Sequence, residues 1–264
     1  MLNKKTLDQQ YDKYNDRKYV HPDPLEFLYD YKEVRQREVA GLVAASLAYG
    51  QVMQILKSVS KVLKVLGPEP AEFLLKTSRK ELVHLFKDFK HRFTTGEELA
   101  GFLANTGHVI RKYGSLYECF ESGHKKEEDL LPAILNFSKE LRLGDCDCYS
   151  SLMPMPGGKC AYKRVNLYLR WMVRKDNVDP GGWDGISASK LIIPLDVHMH
   201  RVSLFHKLTE RKQADMNAAL QITKALKEYA PDDPVKYDFA LTRPGINSRN
   251  KPDEIRPDEI RPDE

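Results

Sequence analysis

The sequence predicts an all-α protein. Apolar residues recur at helical spacing over long stretches, three capping-box patterns mark helix starts, and no segment alternates apolar and polar residues persuasively enough to read as a sheet. At most one short strand or hairpin fits beside the helices.

The elements follow in chain order. After Glu38, residues Val39, Leu42, Val43 and Leu47 form one apolar stripe, and Val52, Ile55, Leu56, Val59, Val62, Leu63 and Leu66 form another. Gly50 between them marks a bend or a close backbone approach, and Gly67-Pro68 stops the second stripe. Ser78 with Glu81 opens a helix through Phe86. Thr95 with Glu98 opens one through Ile110, ended by Gly114, and Ser115 with Glu118 opens a short third. An amphipathic helix runs from about Asp129 to Leu143, with Gly144 at its end. Gly144 to Lys159 is irregular. Helices are expected from about Ala161 to Arg174, from Pro194–Asp196 to about Lys207, and from about Ala214 to Tyr229. Lys175 to Ser189, rich in Asp, Gly and Pro, reads as a loop. Asp233-Pro234 is a cap followed by a first-turn proline, so a last short helix carries Tyr237, Phe239 and Leu241. Residues 1–248 are read as one domain. Residues 249–264 hold a five-residue repeat whose only core-forming residue is isoleucine, so they read as a disordered tail.

The chain of 264 residues is long enough for a real core. An apolar fraction of 41% with 30% charged residues argues against global disorder. The formal charge is +4, and the last sixteen residues hold four basic and six acidic ones, so the remainder is net +6. That excess permits nucleic-acid binding without demanding it. The polar start lacks a secretory core segment, and the most apolar run, Val39 to Tyr49, is too short for a bilayer. The expected location is therefore cytoplasmic, with Cys119, Cys146, Cys148 and Cys160 reduced. Cys146-x-Cys148 is tighter than the usual zinc spacing, so no metal site and no cofactor are expected.

Two segments hold candidate chemistry. In AYKRVNLYLRWMVR, Ala161 to Arg174, the residues Val165, Tyr168, Leu169 and Met172 form an apolar stripe. Lys163, Asn166, Arg170 and Arg174 share another face, which ordinarily would be solvated. Lys163 lies in the first turn, where free N–H groups and the helix dipole disfavour a cation. A nucleophilic lysine needs that, because only the neutral amine attacks carbon. In IIPLDVHMHRV, Ile192 to Val202, Asp196 reads first as a helix cap. His198 and His200 invite a metal reading, but residues two apart on a helix do not share a face.

The P-L-D-V-H-M-H-R-V pattern resembles the V-D-T-H-V-x-R-V segment of the endonuclease III superfamily of helix-hairpin-helix DNA glycosylases, in which the aspartate is catalytic and an upstream helix carries a catalytic lysine. PMPGGKCAYKRVN stands at the matching upstream place. The resemblance implies a two-lobed helical glycosylase-like fold with a cleft between the lobes, Lys163 as nucleophile and Asp196 as its partner. The implied activity is excision of a damaged base, oxidised purines among the candidates, with AP-lyase chemistry through a lysine Schiff base. Its partner would be double-stranded DNA carrying a damaged base, with no membrane and no obligate protein partner. The hairpin, with Gly157, Gly158 and Lys159, would meet phosphate alongside Arg164 and Arg170. Tyr49, Trp171, Trp183 and Phe239 are the candidates for the base pocket. Gln51 stands where endonuclease III has a duplex-probing glutamine.

The sequence differs from that superfamily in its hairpin, in a gap of 33 residues from Lys163 to Asp196, and in lacking the iron–sulfur cysteine set. From Lys4 to Asn247 the chain also resembles a bacterial family, the domain-of-unknown-function 2400 family, through LAYGQV, HRF, YGSLYECF, KRVNLYLRWMVR, LIIPLDVH and DPVKYDFAL. Two other functions fit the residues. One is a nucleic-acid-binding protein of the same fold without chemistry, and the other is a metal-dependent hydrolase using Asp196, His198 and His200.

Overall fold

The computed structural model describes residues 2–124, 129–142, 151–154 and 160–243. The hairpin residues Gly157, Gly158 and Lys159, the Cys146–Cys148 pair, Gly144 and the repeat tail lie outside these described residues.

The described chain is mostly helical, as the periodicity predicts. Helix α1, Lys4–Tyr14, is capped by Asn3 and buries Leu7. It is a largely polar helix with Leu7 as its one buried residue, so the apolar stripe that marks the other helices in the sequence is lacking here. A 3-10 segment, Pro24–Asp30, leads to α2, Val34–Ser46, and α3, Val52–Leu66. The bend expected at Gly50 lies between them, with φ +97°. Two short helices follow, α4 over Pro70–Lys76 and α5 over Arg79–Leu85. Ser78 and Glu81 form the full capping box at α5. A two-stranded hairpin, β1 at Lys90–His91 and β2 at Thr94–Thr95, supplies the only sheet among the described residues. The Thr95 capping box opens α6, Gly96–Tyr113, and Gly114 ends it at φ +95°. Ser115 caps α7, Leu116–Ser122, and α8 covers Leu131–Glu140. Then come α9, Lys163–Val173, α10, Val197–Phe205, and α11, Met216–Lys227. Residues 238–243 are again helical.

Two helices form the centre. Every residue of α2 from Glu38 to Ser46 is buried, and α9 buries all but three of its residues. They pack closely at Gly41, where an added Cβ would come within 3.3 Å of the Tyr168 ring. One continuous apolar core extends from Leu7 to Phe239. No helix among the described residues is long and apolar enough to cross a membrane.

Two buried polar assemblies tie the elements together. Glu38 on α2 accepts hydrogen bonds from the Trp183 Nε1 at 2.9 Å, from Leu116 N at 3.0 Å and from Tyr117 N at 3.3 Å. It therefore satisfies the open N–H groups at the start of α7 while anchoring the loop after α9. The second assembly centres on Arg170, in the last turn of α9, and Arg174, the residue that caps its C-terminal end. Arg170 bonds Asp179 and Asp238, and Arg174 bonds Asp176, Asp179 and Asp233. Asp179 is 0% exposed. Past Lys163 the polar stripe on α9 is thus buried rather than solvated, and Arg170 is not the surface DNA contact that its position in the sequence suggests.

The Lys175 to Ser189 loop sends part of its residues into the interior, while Lys175, Asn177, Asp184, Gly185 and Ser187 stay exposed. Asp176 and Asp179 enter the ion cluster, and Val178, Trp183 and Ile186 enter the core. Removing one member of a buried ion cluster strands its partner's charge, so Asp179→Ala should lower stability by about 3–5 kcal/mol in urea denaturation. A loss below about 1 kcal/mol would contradict that account.

Burial pushes the Glu38 carboxyl up to about 7 from the ordinary 4.5, against the opposing effect of its three donors. A folded-state value above the unfolded one gives a contribution that is full below about pH 4.5 and lost as pH rises through about 7. Wild-type stability should decline across that window by up to about 3 kcal/mol from this group, and Glu38→Gln should flatten the decline. Denaturation midpoints over a pH series read the difference, and parallel profiles for the two proteins would refute it.

Candidate functional site

Lys163 is the first residue of α9. The residue before it, Tyr162, is buried and holds a left-handed conformation at φ 47°. Such a backbone costs an ordinary residue about 1 kcal/mol, and here it turns the chain sharply into the helix. Asp196 is the N-cap of α10, and its Oδ1 accepts a hydrogen bond from Met199 N at 2.8 Å. Its other oxygen, Oδ2, lies 3.6 Å from Lys163 Nζ. The capping role and the lysine contact therefore use different oxygens of one carboxylate. The pair is partly open to solvent, 35% for the lysine side chain and 26% for the aspartate.

The pair faces two adjoining cavities of about 630 and 960 Å³, which share Ala48, Tyr49, Gly50, Lys163, Asp196 and His198. The smaller one continues past Gln51, Ile55 and Leu167 to a wall made by Asp23, Asp238, Phe239 and Arg243. The larger one opens toward Cys160, Arg164 and Arg201.

Charged groups on the wall are already engaged. Asp238 is 4% exposed, and its Oδ2 accepts from Arg170 Nη1 at 2.5 Å. Burial pushes its carboxyl up to about 6, opposed by the Arg170 guanidinium. Arg243 donates to Asp23 at 2.6 Å, and its guanidinium lies 4.1 Å from the centre of the Phe239 ring.

The sequence-predicted residues divide clearly. Lys163, Asp196, Tyr49, Gln51 and Phe239 all line the cleft, as does Arg170, whose guanidinium is paired with Asp179 and Asp238. Trp171 and Trp183 do not. Both are fully buried, and Trp183 packs against Tyr117, Phe120, Phe137 and Tyr168. An aromatic residue reads alike from sequence whether it packs a core or walls a pocket. Arg164 lines the larger cavity, but its guanidinium donates to the carbonyls of Ser46 and Ser151, both at 2.9 Å. It joins α2 to the segment before α9, so the expected role as a free phosphate contact is corrected to a structural one. Asp23, Asp238 and Arg243 were missed. Asp238 stands beside Phe239 in DPVKYDFAL, the one signal that could have drawn attention to it.

The histidines diverge. His198 lines the cleft, whereas a ring nitrogen of His200 is 2.8 Å from the Arg211 carbonyl. The described residues bring no three His, Cys, Asp or Glu side chains together as a metal-ion cluster. Cys119 is buried and Cys160 exposed.

Residues 23–247 match the family described as Protein of unknown function (DUF2400), and the chain belongs to that family. No curated protein and no solved structure matches it.

The two roles of Asp196 are separable by substitution. Asn is as good a cap as Asp, so Asp196→Asn should melt within about 0.5 kcal/mol of wild type, whereas Asp196→Ala should lose about 1 kcal/mol. Equal losses in both variants would mean that the charge facing Lys163, not the cap, supports the fold.

Proposed function

Taking that family membership as the premise, we propose that the chain is a base-excision DNA glycosylase with AP-lyase activity and a two-lobed, helix-hairpin-helix-like fold. The observation carrying this reading is the Lys163 amine facing an Asp196 carboxylate oxygen at 3.6 Å in a cleft with aromatic walls.

The chemistry follows from the residues. A nucleotide turned out of the duplex places its sugar beside Lys163 and its base toward Tyr49 and Phe239. The neutral amine attacks C1′ as the bond from C1′ to the base breaks. The base leaves with that electron pair and takes up one of the two amine protons. The other amine proton goes to the ring oxygen as the sugar ring opens, and the lysine is left as a Schiff base. The Asp196 carboxylate, fixed by its cap bond, orients the amine and stabilises positive charge developing on the sugar. Loss of a proton from the adjacent sugar carbon then expels the 3′ phosphate and cuts the strand. Water hydrolyses the remaining Schiff base. Phosphate contacts fall to the rim, since Arg170 and Arg164 are committed inside the protein.

Borohydride trapping on duplexes with single lesions, oxidised purines included, tests this reading. Wild type should give a covalent adduct, Lys163→Ala none, and Asp196→Asn a yield at least about a hundredfold lower. Absence of an adduct on every lesion, or equal trapping by Lys163→Ala, would sink the mechanism. Salt-dependent binding with no product would favour a binding protein of the same fold.

A further inference from the structure

The HRF segment, His91 to Phe93, takes no part in the lysine chemistry, yet it is built with care at the edge of the same cleft. The register of Lys90 opposite Thr95 and His91 opposite Thr94 leaves Arg92 and Phe93 as a two-residue tip. Such tips need positive φ, and Arg92 adopts 54°. A non-glycine residue is thus held in a disfavoured conformation to present this tip.

The tip stands on a fixed base. His91 is buried, with one ring nitrogen 2.9 Å from Ser58 Oγ and the other 3.0 Å from the Tyr49 carbonyl. The Tyr49 hydroxyl bonds Thr94 Oγ1 at 2.5 Å and the His91 carbonyl at 3.2 Å. The Arg92 side chain lies across Gly50, where an added Cβ would come within 2.7 Å of it. On this base the Phe93 ring stacks on Tyr49 at 5.1 Å with 20° between the planes. Phe93 is nevertheless 63% exposed, and Met53 nearby in sequence to Tyr49 is 62% exposed. An isolated exposed apolar residue is ordinary. A flat ring stacked on a cleft-wall aromatic, pinned by buried hydrogen bonds and flanked by an exposed arginine, is a stacking surface.

We infer that Phe93, backed by Tyr49 and flanked by Arg92, is a stacking shelf for an unpaired nucleobase at the rim of the Lys163 cleft. A base offers a flat face to the ring, and its backbone phosphate offers the anion that Arg92 complements. The inference rests on the reading that nucleic acid occupies this cleft, but it does not depend on the lysine chemistry.

Trp171 and Trp183 are both fully buried, so Phe93→Trp places the one exposed indole among the described residues on the shelf. The probe is a duplex with a single tetrahydrofuran abasic analogue, which leaves one unpaired base and resists the lyase step. Binding is read by anisotropy of an end label and stacking by indole emission. The expected result is quenching of the Phe93→Trp emission that saturates with binding and is weaker with a fully paired duplex. Phe93→Ala should bind the abasic duplex about tenfold more weakly, and Phe93→Tyr should retain affinity. Unchanged thermal melts are expected for all three variants, since the ring lies outside the core. Binding without quenching, or Phe93→Ala binding as wild type, would overturn the shelf and leave the glycosylase reading standing. No anisotropy change with either duplex would overturn both.

Discussion

The buried pairing of Arg170 and Arg174 with four aspartates is the interaction on which the rest of the structure depends. The two arginines stand at the C-terminal end of α9, Arg170 in its last turn and Arg174 as its cap, and their partners come from the loop that follows it and from the C-terminal segment. Asp176 also accepts from Tyr11 of α1. One cluster thereby fixes three separate parts of the chain against the helix that begins with Lys163. Desolvation makes such a cluster expensive, and an apolar set of the same shape often holds a fold at least as well. What a charge cluster adds is register, since each guanidinium accepts only the carboxylate geometry that fits its fork. A one-residue slip of the loop would remove Asp179 from between two arginines.

This constraint also explains what the sequence made legible. Helices α2, α3, α5, α6 and α7 were readable because their signals are local: apolar spacing, capping boxes, and glycines at Gly50, Gly67 and Gly114. Helix α1 was not, because it buries only Leu7 and depends on its Asn3 cap. The insertion after α9 looked like a surface loop because Asp, Gly and Pro are loop formers. Its burial depends on Glu38, which is 145 residues from Trp183 in sequence, and on arginines whose exposure cannot be read from periodicity. The same long-range pairing ties up the Arg170 guanidinium at the cleft wall and brings Asp238 there beside it.

The candidate pair survived this sorting for a physical reason. Lys163 and Asp196 both stand at helix starts, and helix starts have local sequence signals. Asp196 also shows why the ordinary and the chemical readings of a residue need not compete. A carboxylate has two oxygens, and the cap uses one. The cap bond holds the carboxylate in a single orientation, so its second oxygen meets the lysine without losing side-chain freedom on each encounter. The left-handed Tyr162 does the same for the lysine, by fixing how the chain enters α9.

The distribution of charge then limits how a nucleic acid could fit. The inner wall holds Asp23, Asp196 and Asp238, and its arginines are engaged by carboxylates. An anion carried deep into the cleft would meet those carboxylates, whereas a group bearing N–H donors would find acceptors. The exposed cations Arg92 and Arg201 lie toward the outside. A ligand suited to both regions presents phosphates at the rim and a neutral, donor-bearing ring inside. A nucleotide turned out of its strand has that polarity. An anion carried to the inner end of the smaller cavity would instead lie against Asp23 and Asp238.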